Sequence, residues 1–209
     1  MLDDALTVAG RELKLAPGAR VLDYGCGDGH YRKLVPEGAQ YFGIDLPGNP
    51  DAEAALNADG TLPYADSSFD AVLSIQVLEH VDSPTRYLDE CRRVLKPGGT
   101  LLISTHGIMV YHRDPVDYWR WTHEGLLHLL SNRGFEVTGS AGVLGLAAVG
   151  LQLFQDATYW RLPAFLRRPY VAIMQGLVAW FDRRYSAAGR LNNALVYVVT
   201  AHPAQGVAT

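Results

Sequence analysis

The 209-residue chain is poor in cysteine, with two, and no run of basic residues offsets its acidic groups. Two cysteines, Cys26 and Cys91, cannot build a disulfide framework, so a reducing, cytoplasmic setting is the simpler expectation. A formal net charge of -4 supplies no electrostatic drive toward nucleic acid. No apolar leader follows Met1-Leu2-Asp3-Asp4, so these residues do not read as a signal peptide. There is no internal repeat and no low-complexity tract. The one long uncharged run, Val137 to Gln155, carries four glycines together with Thr138, Ser140 and Gln152. That composition favours a strand running into a docked helix over a membrane span.

What is present is an alternation. Strand-like runs at Ala19–Tyr24, Gln40–Ile44, Ala71–Gln76 and Thr100–Thr105 are separated by helical patterns. Ser83-Pro84 opens one helix, with Leu88, Cys91, Val94 and Leu95 at helical spacing, and Lys96-Pro97-Gly98-Gly99 stops it. Thr122 caps another helix that runs through Asn132, and Phe135–Thr138 begins a further strand. Such alternation predicts an α/β, Rossmann-like, mostly parallel sheet with helices on both faces. Leu195–Ala201 is a late strand, and residues 143–190 before it read as a helical insertion or cap on a single domain spanning 1–209.

The first strand ends in Asp23-Tyr24-Gly25-Cys26-Gly27-Asp28-Gly29. Ligands of open parallel sheets bind at the carboxyl ends of the strands, and glycines there let a ligand meet the main chain. A dinucleotide turn spaces its glycines Gly-x-Gly-x-x-Gly, and here the third comes one residue early. Two carboxylates, Asp23 and Asp28, would also repel a pyrophosphate. No Gly-Lys-Ser/Thr phosphate loop is present. A cationic ligand suits the turn better, and S-adenosylmethionine carries a sulfonium and an ammonium with no phosphate. Asp45 ends the second strand about 20 residues after the first glycine, where a carboxylate accepts ribose hydroxyls. Asp59-Gly60 is placed to meet an adenine amino group, with Leu46 and Leu62 offering apolar surface to the ring.

The ordered segments VLDYGCGDGHY, YFGIDL, NADGTLPYADSSFDAVLSIQVLEHV and LKPGGTLLIST resemble the class I S-adenosylmethionine-dependent methyltransferases over about residues 17–140. The resemblance implies that Asp23, Gly25 and Gly27 line the methionine end of the cofactor, Asp45 the ribose, Asp59 and Gly60 the adenine, and Gln76 its middle, with Cys26 and Leu46 as further cofactor-binding candidates. It also implies seven strands, the last antiparallel.

Candidate chemistry gathers in Glu79-His80, His106 and the stretch from His112 through Asp117 to Trp121. A histidine there can act as a general base near neutral pH. Alternatively, Glu79, His80 and Asp117 can hold a divalent ion such as Mg2+. The Glu-His placement resembles metal-assisted O-methyltransferases, which carry Glu-x-x-Glu-His, but Gln76 stands where their first Glu would be and Asp117 where their later His would be. No Asn/Asp-Pro-Pro-Tyr motif of nitrogen-methylating enzymes is found. Tyr118, Trp119 and Arg120 combine aromatic faces with hydrogen-bonding groups that suit a sugar ring. The stretch is similar to actinobacterial sugar O-methyltransferases such as those of methylmannose polysaccharide assembly, which implies a small-molecule or glycan hydroxyl as acceptor; a lipid-quinone, protein or amine acceptor and a non-catalytic S-adenosylmethionine-binding module stay open as alternatives. The apolar residues Tyr159, Trp160, Phe165, Tyr170, Met174, Trp180 and Phe181 leave four readings open: packing on the sheet, a pocket roof, a dimer face or a membrane-surface contact.

Overall fold

A computed structural model describes residues 1–204. Seven strands form one sheet in the order β3-β2-β1-β4-β5-β7-β6. They are β1 (Arg20–Tyr24), β2 (Gln40–Asp45), β3 (Ala54–Ala55), β4 (Phe69–Ile75), β5 (Leu95–His106), β6 (Phe135–Val143) and β7 (Val196–Pro203). The first five run parallel, and β7 lies antiparallel to both β5 and β6. The architecture is the Rossmann-like α/β sheet expected, with an antiparallel last strand.

Successive strand residues point to opposite faces, so each strand serves two cores. Leu22, Val72, Leu101 and Ile103 face one layer, closed by α2 (Pro84–Val94) and α3 (His123–Asn132). Their neighbours Val21, Ala71, Leu73 and Leu102 face the other. That second layer is closed by α1 (Leu2–Glu12), α4 (Leu146–Tyr159) and α5 (Ala164–Asp182). A short α6 (Ala187–Leu191) precedes β7. Residues 143–190 read in sequence as a helical insertion or cap, with packing on the sheet among the readings left open for their apolar residues. Ala148, Val149 and Val178 are fully or almost fully buried in the second core. The uncharged run from Val137 is divided between β6 and α4, and among the described residues no helix is long and apolar enough to cross a membrane.

Two elements carry no mark in the sequence reading. The helix α1 buries Leu6, with Leu13 buried just past its end, and β3 is a two-residue strand. Pairing places Asp23 beside Gly43 and Leu73, so the carboxyl ends of β1, β2 and β4 form a common edge.

Candidate active site

That edge opens into a cleft of about 1010 Å³, at the upper end of the range for small-molecule sites. Its wall is the glycine turn from Tyr24 to Asp28, with Asp45 and Leu46 beside it. Gly25 holds φ +83°, and a Cβ there would stand 2.5 Å from Val77 Cγ2. Glycine is thus required both by the left-handed backbone and by the packing of Val77. Cys26 is buried, and burial pushes its thiol up to about 12. It therefore meets the cleft as an inert neutral thiol.

Asp23 lies fully buried below the turn. The Tyr41 hydroxyl donates to its Oδ2 at 2.7 Å, while Oδ1 has no partner. Burial pushes this carboxyl up to about 6, opposed by the Tyr41 hydrogen bond and reinforced by Asp45. An orphaned carboxylate oxygen under the turn is a group that an ammonium or sulfonium would complement.

Asp45 ties the turn to β2. Its Oδ2 accepts from the Gly27 N–H at 2.8 Å and from Asn49 Nδ2 at 2.7 Å, and its Oδ1 accepts from the Leu46 N–H at 2.7 Å. Asp59 is exposed and accepts from both the N–H and the hydroxyl of Thr61, which hold its carboxyl below the usual range. Asp59, Gly60 and Leu46 all line the cleft, whereas Leu62 is buried in the core. Gln76 lines the middle and keeps φ at 58°, an unusual value for a residue with a side chain. Its Nε2 donates to Ser104 Oγ, which fixes that strained strand end.

The catalytic candidates separate into two depths. His80 and His112 line the cleft. His80 Nδ1 donates to the Val116 carbonyl at 2.6 Å, so Nε2 carries the ring's lone pair. His106 is 2% exposed and does not line the cleft. Its ring lies 6.2 Å from that of His80 and 6.0 Å from that of His112, centre to centre. Burial lowers its pKa to about 4, with Arg120 adding to the shift. It therefore stays neutral at physiological pH and packs behind the cleft. Beneath it Glu79 is fully buried, with Oε2 accepting from the Thr105 hydroxyl at 2.8 Å. His106 Nε2 approaches Glu79 Oε1 to 3.1 Å, close in distance but not aligned for a hydrogen bond. Burial raises the Glu79 carboxyl above its ordinary range.

Asp117 and Arg120 differ from expectation. Asp117 has a side chain 1% exposed and gives both oxygens to the Arg120 guanidinium, while the His112 N–H donates to Oδ2. The Arg120 side chain holds its pKa down to about 2. Arg120 in turn spends its remaining donors on the carbonyls of Met109, Val110 and Trp119, which leaves none of its five for a substrate. Trp119 donates its indole N–H to the Val81 carbonyl and stacks on Trp121. Of the three expected substrate contacts only Tyr118 lines the cleft. Asp117 and Arg120 are the clasp of the loop from Gly107 to Trp121, and that loop carries His112 and Tyr118 to the cleft.

The donor set does not fit a divalent ion. Glu79, His80 and Asp117 are not gathered: Glu79 turns one oxygen to Thr105, and Asp117 is saturated by Arg120. Among the described residues no three His, Cys, Asp or Glu side chains stand close enough to share a metal. Sequence reading also missed Asn49, Tyr31 and Arg86, all at the cleft. Asn49 bridges Asp45 to the Gly27 carbonyl, and its only trace in sequence is a turn composition four residues after the strand-end acid.

The chain matches the family described as "Methyltransferase domain" over residues 2–138. It is 32% identical over 142 residues to a protein of Mycolicibacterium smegmatis named "probable S-adenosylmethionine-dependent methyltransferase", a match covering 60% of this chain and 55% of that one. It is 36% identical over 175 residues to a ubiquinone biosynthesis O-methyltransferase of Cereibacter sphaeroides, covering 70% of this chain and 69% of the relative. Among solved structures, the [4+2]-cyclase SpnF superposes with a TM-score of 0.61 at 25% identity, covering 97% of this chain and 82% of that one. The chain thus spans between about half and about two thirds of the length of these two curated relatives.

Proposed function

Since the chain belongs to the methyltransferase domain family, we propose that it moves the methyl group of S-adenosylmethionine to a hydroxyl of a small acceptor, with His80 as general base. The observation that carries this reading is His80 itself: its Nδ1 is committed to Val116 and its ring lines the cleft, the tautomer that leaves Nε2 to take a proton. The acceptor oxygen attacks the methyl carbon in line, the carbon–sulfur bond breaks, S-adenosylhomocysteine leaves, and the hydroxyl proton passes to Nε2. Asp23 answers the positive charge of the methionine end. Asp45 would hold the ribose: three N–H groups take three of its about four acceptor sites, which leaves one for a ribose hydroxyl. Asp59 and Leu46 flank the adenine.

Two acceptor classes follow from different grounds. The aromatic-rich loop suits a sugar or glycan precursor. The relatives named for ubiquinone biosynthesis bring an aromatic hydroxyl. The cleft favours the aromatic hydroxyl, because the Trp119 N–H and the Arg120 guanidinium that would grip a sugar are already bonded within the protein. The test is a turnover assay over matched panels of phenolic and sugar acceptors, with magnesium and with chelator. Phenolic turnover untouched by chelator is expected, and His80→Gln lowers kcat by about 10²- to 10⁴-fold with cofactor affinity kept. Normal turnover by His80→Gln would remove the base assignment.

A further inference from the structure

The helices α4 and α5 turn one face to the sheet and leave the other uncovered. We propose that this outer face seats the protein on an anionic lipid bilayer, with both helices lying in the headgroup plane. The inference goes beyond the methyl-transfer reading and stands independently of it.

Charge is the first ground. Residues 143–191 hold six arginines and two aspartates, a net +4, within a chain whose formal charge is -4. Both aspartates are satisfied inside the segment: Asp182 pairs with Arg190 at 3.0 Å, and Asp156 accepts from Gln152. Among the described residues the ion pairs found leave Arg161, Arg167, Arg168, Arg183 and Arg184 without a carboxylate. Five guanidiniums without a carboxylate partner on an acidic protein, of which Arg167 and Arg184 also donate to the Leu162 and Trp180 carbonyls, are complementary to a phosphate-rich surface.

The second ground is where the apolar groups stand. On α5, Met174 and Val178 are buried, while Phe165, Ile173, Leu177 and Trp180 form an exposed stripe at helical spacing. Phe165 is 78% exposed and Trp160, at the turn before α5, is 74% exposed. These are values that an unpartnered core-type side chain rarely keeps. The arginines stand over these rings: Arg184 over Trp180, and Arg167 over Trp160 and Tyr159. Rings entering the acyl boundary with guanidiniums at phosphate level is the arrangement of an interfacial helix. No helix among the described residues can cross a membrane, so the contact lies on the bilayer rather than through it. A second copy of this chain fits less well, because the same arginines would oppose one another across the contact.

The sheet register sets the location. Val143 and Val196 are ladder partners, and Val196 is the partner of His106. Both ends of the helical segment therefore leave the sheet at the edge that carries the cleft.

Cosedimentation of the full chain with vesicles tests the proposal. Phosphatidylcholine vesicles containing phosphatidylglycerol should bind at least about tenfold more protein than phosphatidylcholine alone, a modest share of what five arginines at the surface can supply. The difference should vanish near 1 M salt, where screening acts within about 3 Å. The double changes Arg161→Glu with Arg168→Glu, and Phe165→Ser with Trp180→Ser, should each abolish binding while thermal midpoints hold, since all four residues are exposed. Failure of the unmodified chain to bind anionic vesicles would overturn the proposal. So would binding by both variants at the unmodified level, or light scattering showing a dimer that the same changes dissociate.

Discussion

Replacing Asp23 by Asn should make the protein more stable at neutral pH and blunt the pH dependence of its cofactor affinity. The carboxyl is fully buried, one oxygen accepts from Tyr41 and the other has no partner. Burial, partly offset by Tyr41 and reinforced by Asp45, raises its pKa from 3.8 to about 6. A rise of roughly 2 units corresponds to about 3 kcal/mol. The sign follows from proton binding. The folded state holds this proton more tightly than the unfolded chain, so the associated stability is full below pH 3.8 and is lost as pH climbs toward about 6. At pH 7 the ionised carboxylate is therefore a cost that asparagine removes, while the amide oxygen still accepts from Tyr41. Thermal melts should show Asp23→Asn ahead of the wild type at neutral pH by up to about 3 kcal/mol, converging with it near pH 4.

Cofactor binding closes the same cycle. A cation settling over Asp23 favours its ionised form, so S-adenosylmethionine should bind the wild type more tightly as pH rises from about 5 to 7. Full compensation of a two-unit shift amounts to about 100-fold between pH below 3.8 and pH above 6, of which about tenfold falls between pH 5 and 7. Calorimetric titrations across that range should give a flat profile for Asp23→Asn. An Asn variant less stable than the wild type at neutral pH, or one that keeps the wild-type pH slope for the cofactor, would refute the reasoning that this carboxylate is the cation's partner.

Two further changes probe the scaffold of the site. Gly25→Ala forces a side chain into a left-handed backbone and sets its Cβ 2.5 Å from Val77 Cγ2. About 1–2 kcal/mol for the backbone and about 1–3 kcal/mol for the crowding are expected, and adding Val77→Ala should return only the second share in denaturant melts. Arg120→Lys keeps the charge but loses the fork that holds both Asp117 oxygens and three loop carbonyls. It should cost about 2–3 kcal/mol, with greater protease sensitivity confined to residues 107–121 by peptide mapping.

The sheet was legible because its strands announce themselves locally. Val21-Leu22, Ala71-Val72-Leu73 and Leu101-Leu102-Ile103 are continuous apolar runs, as expected of strands covered on both faces. The pieces that were missed lack such a mark. The two residues of β3 are held by pairing with Ile44 and Asp45 rather than by their own composition. The apolar positions of α1 mean little until Leu6 finds the second core. The segment after β6 left several readings open for a related reason. Small residues such as Ala148 and Val149 close a core as effectively as large ones, yet they do not stand out beside the bulky aromatics that remain exposed.

At the site, residue types were legible and their commitments were not. A sequence shows that Asp117, Trp119 and Arg120 carry polar groups near the ligand edge. It does not show whether those groups are free, because a donor's partners include backbone carbonyls that every residue has. Arg120 illustrates the difference: three carbonyls and one carboxylate take its donors, so a side chain that reads as a substrate grip is a loop clasp. Asp117 follows, since a carboxylate saturated by an arginine can neither accept the acceptor's proton nor join a metal. The same accounting favours His80. His80 and His112 both line the cleft, but only His80 of the two has its tautomer fixed: Val116 takes its Nδ1, and neither Glu79 nor Asp117 comes within hydrogen-bonding reach of its Nε2. His106, equally polar in sequence, is set aside by burial, since it is 2% exposed and does not line the cleft. The division between groups that act and groups that hold is thus a matter of hydrogen-bond saturation and of burial, decided in large part by the loop from Gly107 to Trp121.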